Sequence, residues 1–189
     1  MSWCKWLGIA ESDAAETLLD TLSWCHQSAT LTNHNASSGA LINAASCGAR
    51  LESAVASALL TFGDIHGPAT AARKLLYSTG NDAIIKKLED EEILPGWGNA
   101  FYKKSIDPAF VPFDHLIREQ YHEHHERLDK IMELIFKVTG KTLYPNAASF
   151  NAICAELLSM AWGTEIALVI VCRLPAWAKQ YVGASPCWP

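Results

Sequence analysis

The stretch TFGDIHGPA, residues 61–69, interrupts a series of apolar segments in the middle of the chain. Two glycines, a proline, an acid and a histidine lie within these nine residues. Glycine and proline are typical of a plain turn, whereas loops between rigid helices are also where reactive groups are displayed. The stretch is therefore either an ordinary connection between helices or a loop that presents His66. The segments around it decide between these alternatives.

Apolar residues on both sides of the stretch recur at helical spacing, and no run alternates with period two. Asp13 and Glu16 have capping-box spacing at the start of the first amphipathic segment. Pro175 predicts a bend or an interruption in the last helix. Helices are predicted over residues 12–25, 36–47, 51–62, 69–77, 82–92, 114–138, 149–160 and 164–181. The fold class is therefore all-α, in a single domain over residues 1–189.

The composition narrows the classes of partner. Half of the 189 residues are apolar or aromatic and 19% are charged, which favours a compact protein that buries further surface as a homodimer. The net charge is -5 and there is no basic run, so the sequence lacks the clustered positive charge that binds nucleic acid. The longest apolar run, residues 166–172, is far shorter than the roughly 20 residues that span a bilayer. We expect a soluble, cytoplasmic protein that binds neither membranes nor nucleic acid.

Two groups of residues are candidates for metal ligands or disulfides. The six cysteines lie far apart without a CxxC pair, which favours buried thiols over disulfides or metal ligands. His115, Glu119, His122 and Glu126 lie near one predicted helical face, with spacing that is compatible with a metal site. A single helix supplies too few convergent ligands, and HExxH is absent. We therefore interpret this face as solvated and expect no metal.

Four motif segments occur along the chain in this order: GDIHGPA from Gly63, LPGWGNAFYKKSIDP from Leu94, LYPNAASFNA from Leu143, and VCRLPAWA from Val171. Together with NASSGALINAASCGARLESAVASALL, residues 35–60, they resemble the citrate synthase family and its shorter citryl-CoA lyase relatives. The resemblance covers about residues 33–181. Four motifs in order, on a helical background, favour display of His66 over a plain turn.

The resemblance implies an all-helical, intertwined homodimer whose active site is a cleft closed partly by the partner chain. It implies action on acyl-CoA thioesters and on oxo- or hydroxy-carboxylic acids, so a coenzyme A thioester is the candidate co-substrate and a small carboxylate the candidate ligand. The chain is shorter than an ordinary family member, and the difference lies mostly at the N-terminus.

The resemblance implies a role for individual residues of this chain. His66 matches the histidine that polarises the thioester carbonyl, although taken alone it would be a capping or packing residue. Arg173 matches an arginine that binds a carboxylate of the oxo-acid, and the alternative is a helix charge or a salt bridge. His34, or alternatively His26, is the candidate for the second histidine that binds the oxo-acid.

The LPGWG segment corresponds to the loop that contacts the adenine end of coenzyme A. Gly96, Trp97 and Gly98 are therefore the expected cofactor-binding residues. Trp97 is either a stacking face for the ligand or an anchor in the core.

Three positions depart from the family pattern. Asn99 stands where the family has a proton-donating histidine, and an amide donates a hydrogen bond but transfers no proton. Ala148 stands where the family has the aspartate base, and Ala109 replaces an arginine that binds carboxylate. We expect a divergent enzyme that forms or cleaves a C–C bond, of acyltransferase or lyase type, with His66 and Asn99 as catalytic residues. The alternative is a catalytically silent subunit that binds a ligand or a protein partner.

Overall fold

The computed structural model of the protein describes residues 2–32 and 35–186, except for the side chain of Trp6. This part of the chain contains ten α-helices and one 3₁₀ helix, and no β-strand. The α-helices are α1 (Trp3–Leu7), α2 (Asp13–Thr32), α3 (Ala36–Ser46), α4 (Leu51–Leu59), α5 (Ala69–Tyr77), α6 (Asn81–Glu89), α7 (Val111–Gln120), α8 (His122–Thr139), α9 (Ala147–Leu157) and α10 (Glu165–Ala184), and the 3₁₀ helix is Pro108–Phe110. The prediction of an all-α fold is confirmed.

Several helix boundaries differ from the predictions, and the short helix α1 was not predicted. The helix predicted over residues 114–138 is two helices, because Tyr121, with φ -136° and ψ 56°, leaves the helical region between α7 and α8. Apolar spacing continues across this break, so the pattern could not show it. The first helix extends to Thr32, and α10 runs through Pro175 without interruption. Glu16 does not complete a capping box, since its carboxylate accepts from the backbone N–H groups of Trp3 and Cys4 in α1.

The main core is built around α2, whose buried face carries Leu18, Leu19 and Leu22. Helix α2 packs against α10, while α5 packs against α9 and α3 against α4. A smaller apolar cluster around Trp177 joins α3, α4 and α10. Helix α4 buries only Ala54 and Ala58 and leaves Leu51 and Leu59 exposed, so its apolar residues do not all face the core.

A buried ionic network ties α5 to α9 and α10. The Arg73 guanidinium donates to Glu156 at 2.8 Å, to Glu165 at 2.9 Å and to the Met160 carbonyl at 2.9 Å. Thr70 donates to the other oxygen of Glu165 at 2.6 Å. Because Glu165 is fully buried, these bonds fix the start of α10 relative to α5.

The five described cysteines are free thiols, and four of them are buried, as predicted. Cys47 is exposed, which corrects the prediction at that position, because it caps the C-terminal end of α3 at the surface. Cys187 lies outside the described residues. Burial raises the pKa of Cys25 to about 11 and that of Cys172 to about 12, so both stay protonated at neutral pH.

The four residues weighed as a metal site are all exposed, and the break at Tyr121 divides them between α7 and α8. Within residues 2–32 and 35–186, no three His, Cys, Asp or Glu side chains are grouped so as to hold a metal ion. None of the helices in this same part of the chain has both the length and the apolar character needed to cross a membrane.

Candidate functional site

The loop that carries His66 connects α4 to α5 and closes on itself. Gly63 donates its backbone N–H to the His66 carbonyl at 2.9 Å. Gly67 has φ +77°, and a Cβ atom there would lie 2.5 Å from Cδ1 of Phe62. Only glycine fits this position without strain. The loop thereby holds the His66 ring stacked on Phe62, with ring centroids 5.0 Å apart.

His66 lines a cavity of about 270 Å³ between α2, α9, α10 and three loops. This volume lies just below the roughly 300–1,000 Å³ typical of small-molecule sites, so the cavity has room only for a small ligand. Its polar and charged side chains include His26, His66, Asn99, Asp107, Asn151 and Arg173. The structure therefore brings together three residues that the sequence placed in the site, His66, Asn99 and Arg173, although more than 100 residues separate the first from the last.

His66 has an unused polar atom at this cavity. Its Nε2 is fully buried and forms no hydrogen bond with the described part of the chain. Burial, and then the nearby Arg173 charge, lower the pKa of His66 to about 4, so the imidazole is neutral at pH 7. A buried polar nitrogen without a partner is costly unless a ligand or water satisfies it.

Arg173 is a buried cation that has no acidic partner among residues 2–32 and 35–186. The residue is only 7% exposed, and it donates from Nη1 to Oγ of Ser37 at 3.0 Å and from Nε to Nδ1 of His26 at 3.3 Å. Among the described residues, no carboxylate lies within salt-bridge distance of it. Burial lowers its pKa to about 10, so it remains charged at pH 7. A bound anion would supply the missing counter-charge.

Of the two candidates for the second histidine that binds the oxo-acid, the structure describes only His26. His34 lies outside the described residues. His26 lines the cavity and is fully buried on α2, where burial, and then the Arg173 charge, lower its pKa to about 3. Its Nε2 faces the Asn151 amide on α9, at 3.1 Å from Oδ1 and 2.8 Å from Nδ2.

The three departures from the family pattern all lie at or beside the cavity. Asn99 and Ala148 line it, and Ala109 is buried next to it in the 3₁₀ helix. Oδ1 of Asn99 accepts from the backbone N–H groups of Phe101 and Tyr102, which leaves its amide nitrogen as the group able to donate. The methyl group of Ala148 offers neither a base nor a hydrogen bond.

Sequence reasoning missed four polar residues of the cavity, Asn35, Asp107, Asn146 and Asn151. Asp107 is 7% exposed, accepts at Oδ1 from the Ala109 N–H at 3.0 Å, and has its pKa raised by burial. The available signal for Asp107 was an acid two residues before the changed Ala109. Asn151 follows Ala147 by one helical turn and donates to its carbonyl at 2.6 Å. That spacing was the available signal, but nothing in the sequence pairs Asn151 with α2.

The expected cofactor loop is held against the start of α9. Gly98 donates its backbone N–H to the Tyr144 carbonyl at 2.8 Å, and Asn146 donates from its backbone to the Gly96 carbonyl at 2.9 Å. Trp97 is 6% exposed and belongs to the main core, which favours the anchor over the stacking face. The loop also borders a second cavity of about 730 Å³, which shares Gly98 and Asn146 with the first.

A family model described as "Citrate synthase, C-terminal domain" matches residues 6–184. A comparison with curated proteins finds no match. Among solved structures, the chain is similar to a citryl-CoA lyase from Hydrogenobacter thermophilus, with 23% identity and a TM-score of 0.77, over 96% of this chain and 73% of that one.

Two longer proteins are also similar in structure. A citrate synthase from Thermotoga maritima has 22% identity and a TM-score of 0.74, over 92% of this chain and 50% of that one. An ATP citrate lyase from Methanothrix soehngenii, in complex with citrate and coenzyme A, has 15% identity and a TM-score of 0.74, over 95% of this chain and 33% of that one. At these identities the likeness establishes the shared fold, and the chain spans half or less of both proteins.

Proposed function

Since the chain belongs to the citrate synthase family, we propose that it is a divergent enzyme of that family which acts on a small carboxylic acid and a coenzyme A thioester. The proposed reaction forms or cleaves a C–C bond, as in an acyltransferase or a lyase, and differs from ordinary citrate synthesis. One observation carries the proposal: Arg173 and His66 line the same small cavity, and within the described residues Arg173 has no carboxylate in salt-bridge distance and Nε2 of His66 has no hydrogen-bond partner.

Arg173 is the carboxylate clamp in this proposal. A guanidinium has five N–H donors, and the protein uses two of them, on Ser37 and His26. The remaining donors can bind a carboxylate in the bidentate geometry that arginine favours. Binding an anion would also remove the cost of a buried, unpaired charge.

His66 and Asn99 act on the carbonyl oxygen of the ligand. A neutral imidazole donates from one nitrogen, and an amide nitrogen donates without transferring a proton. Donors directed at a developing oxyanion are worth roughly 10²–10³ in rate each. Because Ala148 provides no base, a reaction that needs proton abstraction there would be slower by about 10²–10⁴.

The second cavity is the proposed site of the thioester. Lys74 and Lys87 line it together with Gly96 and Gly98. Because Lys87 forms an ion pair with Glu92, which also lines the cavity, Lys74 is the lysine proposed to bind a phosphate group. The ATP citrate lyase that is similar in structure holds coenzyme A. The proposal therefore keeps coenzyme A as co-substrate and assigns no metal.

We also propose a cytoplasmic homodimer. Ile65, Ile93 and Phe101 are 90%, 82% and 64% exposed. Ile65 lines both cavities, Phe101 lines the first and Ile93 lines the second. A second copy that covers these side chains would bury apolar surface that is otherwise in water. The buried free thiols fit a reducing compartment.

The test is to measure binding of oxaloacetate, citrate and acetyl-CoA by calorimetry and to search for products by mass spectrometry. Arg173→Met should abolish carboxylate binding, whereas the matched surface variant Arg50→Met should leave it unchanged, since the Arg50 side chain is 84% exposed. Any product should disappear in His66→Ala. Carboxylate binding that survives in Arg173→Met would refute the proposed clamp.

A catalytically silent binding subunit is the second candidate. Asn99, Ala109 and Ala148 together favour it, because they replace two proton-transfer groups and one carboxylate ligand of the family. Binding of carboxylates or thioesters without any product would support this candidate. A stable protein partner in pull-downs, without small-molecule binding, would support a role in partner binding instead.

A further inference from the structure

His26 occupies an unusual position for a histidine beside a ligand cavity. It is fully buried in α2, and its ring meets the edge of Phe110 at a centroid distance of 5.1 Å. Its two ring nitrogens face side chains from two other helices, Arg173 on α10 and Asn151 on α9. Both nitrogens are therefore engaged by the protein and not left for a ligand.

The hydrogen-bond partners of His26 determine which of its ring nitrogens carries the proton. Nε of Arg173 carries a hydrogen and only donates, so Nδ1 of His26 must accept at 3.3 Å. In a neutral imidazole the proton is then on Nε2, which donates to Oδ1 of Asn151 at 3.1 Å.

Both polar atoms of the Asn151 amide lie close to Nε2 of His26. Oδ1 accepts from Nε2 at 3.1 Å, whereas Nδ2 donates to the Ala147 carbonyl at 2.6 Å and meets Nε2 at 2.8 Å as donor against donor. Arg173, which can only donate, therefore decides the tautomer. The opposite tautomer would set the N–H of Nδ1 against the N–H of Arg173. The donors therefore run in one direction, from Arg173 through His26 and Asn151 to the backbone of α9.

We propose that His26 is a positioning residue for Arg173: as a neutral acceptor it fixes the rotation of the guanidinium, so that the N–H groups not used by the protein face the carboxylate of the ligand. Ser37 on α3 holds the other side of the guanidinium, through Nη1. The inference rests on the carboxylate-binding role proposed for Arg173. It removes His26 from the residues that contact the ligand.

The choice of a histidine has a physical reason. An aspartate at this position would also accept from Arg173, but it would form a salt bridge and cancel the charge that attracts the ligand. A neutral acceptor orients the guanidinium and leaves its charge available. Orientation without neutralisation is the property that the experiment isolates.

Three substitutions of His26 separate orientation from charge. His26→Asn keeps a neutral oxygen close to the position of Nδ1, His26→Asp places a charged oxygen there, and His26→Leu removes the acceptor. The readout is the Kd of citrate and of oxaloacetate, measured by calorimetry. We expect a Kd within about threefold of the wild-type value for His26→Asn, at least a roughly tenfold increase for His26→Leu because a buried donor loses its partner, and no measurable binding for His26→Asp.

A second readout does not depend on any carboxylate. The ¹⁵N–H signal of Arg173 Nε, assigned with Arg173→Lys, should exchange slowly with water in the wild type and in His26→Asn, and rapidly in His26→Leu. Wild-type affinity in His26→Leu, or equal losses in the Asn and Asp variants, would overturn the inference. If the wild type binds neither acid, the proposed function fails, but the exchange rates still test the hydrogen bond between Arg173 and His26. Equal exchange rates in the wild type and in His26→Leu would overturn the inference that this bond orients Arg173. The Asn and Asp variants are isosteric, so their comparison stands even if His26→Leu does not fold.

Discussion

Replacing Gly67 with alanine is expected to destabilise the protein by about 2–5 kcal/mol. Two costs add. Gly67 has φ +77°, a left-handed conformation that costs a residue with a Cβ atom roughly 1–2 kcal/mol. The new methyl group would lie 2.5 Å from Cδ1 and 2.9 Å from Cε1 of Phe62, an overpacking that costs about 1–3 kcal/mol.

Phe62 has little freedom to relieve this clash. Its ring stacks on His66 at 5.0 Å, packs against the Trp177 ring at 6.3 Å, and lies 5.8 Å from Cζ of Arg173. A displaced Phe62 therefore moves groups of the candidate site. We expect the same substitution to weaken carboxylate binding as well as stability.

Two other glycines serve as controls that separate the cost of the left-handed backbone from the cost of the clash with Phe62. Gly48 has φ +80° but open space at the Cβ position, so Gly48→Ala should cost only about 1–2 kcal/mol. Gly63 lies in the same loop as Gly67, outside the left-handed region and with open space, so Gly63→Ala should change stability by no more than about 0.5 kcal/mol. The assay is urea unfolding followed by circular dichroism, compared at constant m. A loss in Gly67→Ala no larger than that in Gly48→Ala would refute the close approach of Phe62.

Two further predictions concern buried ionisable groups. Glu165→Gln should cost about 3–5 kcal/mol, because it leaves the buried Arg73 without its fully buried partner, whereas Glu156→Gln, at a side chain that is 34% exposed, should cost no more than about 1 kcal/mol. Equal losses in urea unfolding would contradict the network. The pKa of His26 is about 3 in the folded protein and about 6.5 when unfolded, so the unfolded chain binds the proton first and stability falls as the pH drops below 6.5. Between pH 7 and pH 5 this loss is about 2 kcal/mol and should be absent in His26→Asn; an unchanged pH slope in that variant would show that His26 is not held neutral.

Local properties of the sequence determined the fold class and most of the helices. Helical periodicity depends on residues three or four apart, so it is readable without knowing what each helix packs against. The same holds for the loop around His66, where glycine and proline mark the connection between α4 and α5. The order of four such segments was sufficient to indicate the family that the match over residues 6–184 then showed.

Tertiary structure decided what each side chain faces, because that depends on residues far away in the chain. The break at Tyr121 leaves the apolar spacing intact, so only packing reveals it. Trp97 lies in the core, although its loop position allowed a ligand contact equally well. The contact between Arg173 and His26 spans 147 positions, and whether a buried arginine meets a carboxylate or a neutral acceptor is set by helix packing alone. The sequence could therefore nominate Arg173, but only the packing of α2, α3 and α10 shows that, within the described part of the chain, its side chain donates to His26 and Ser37.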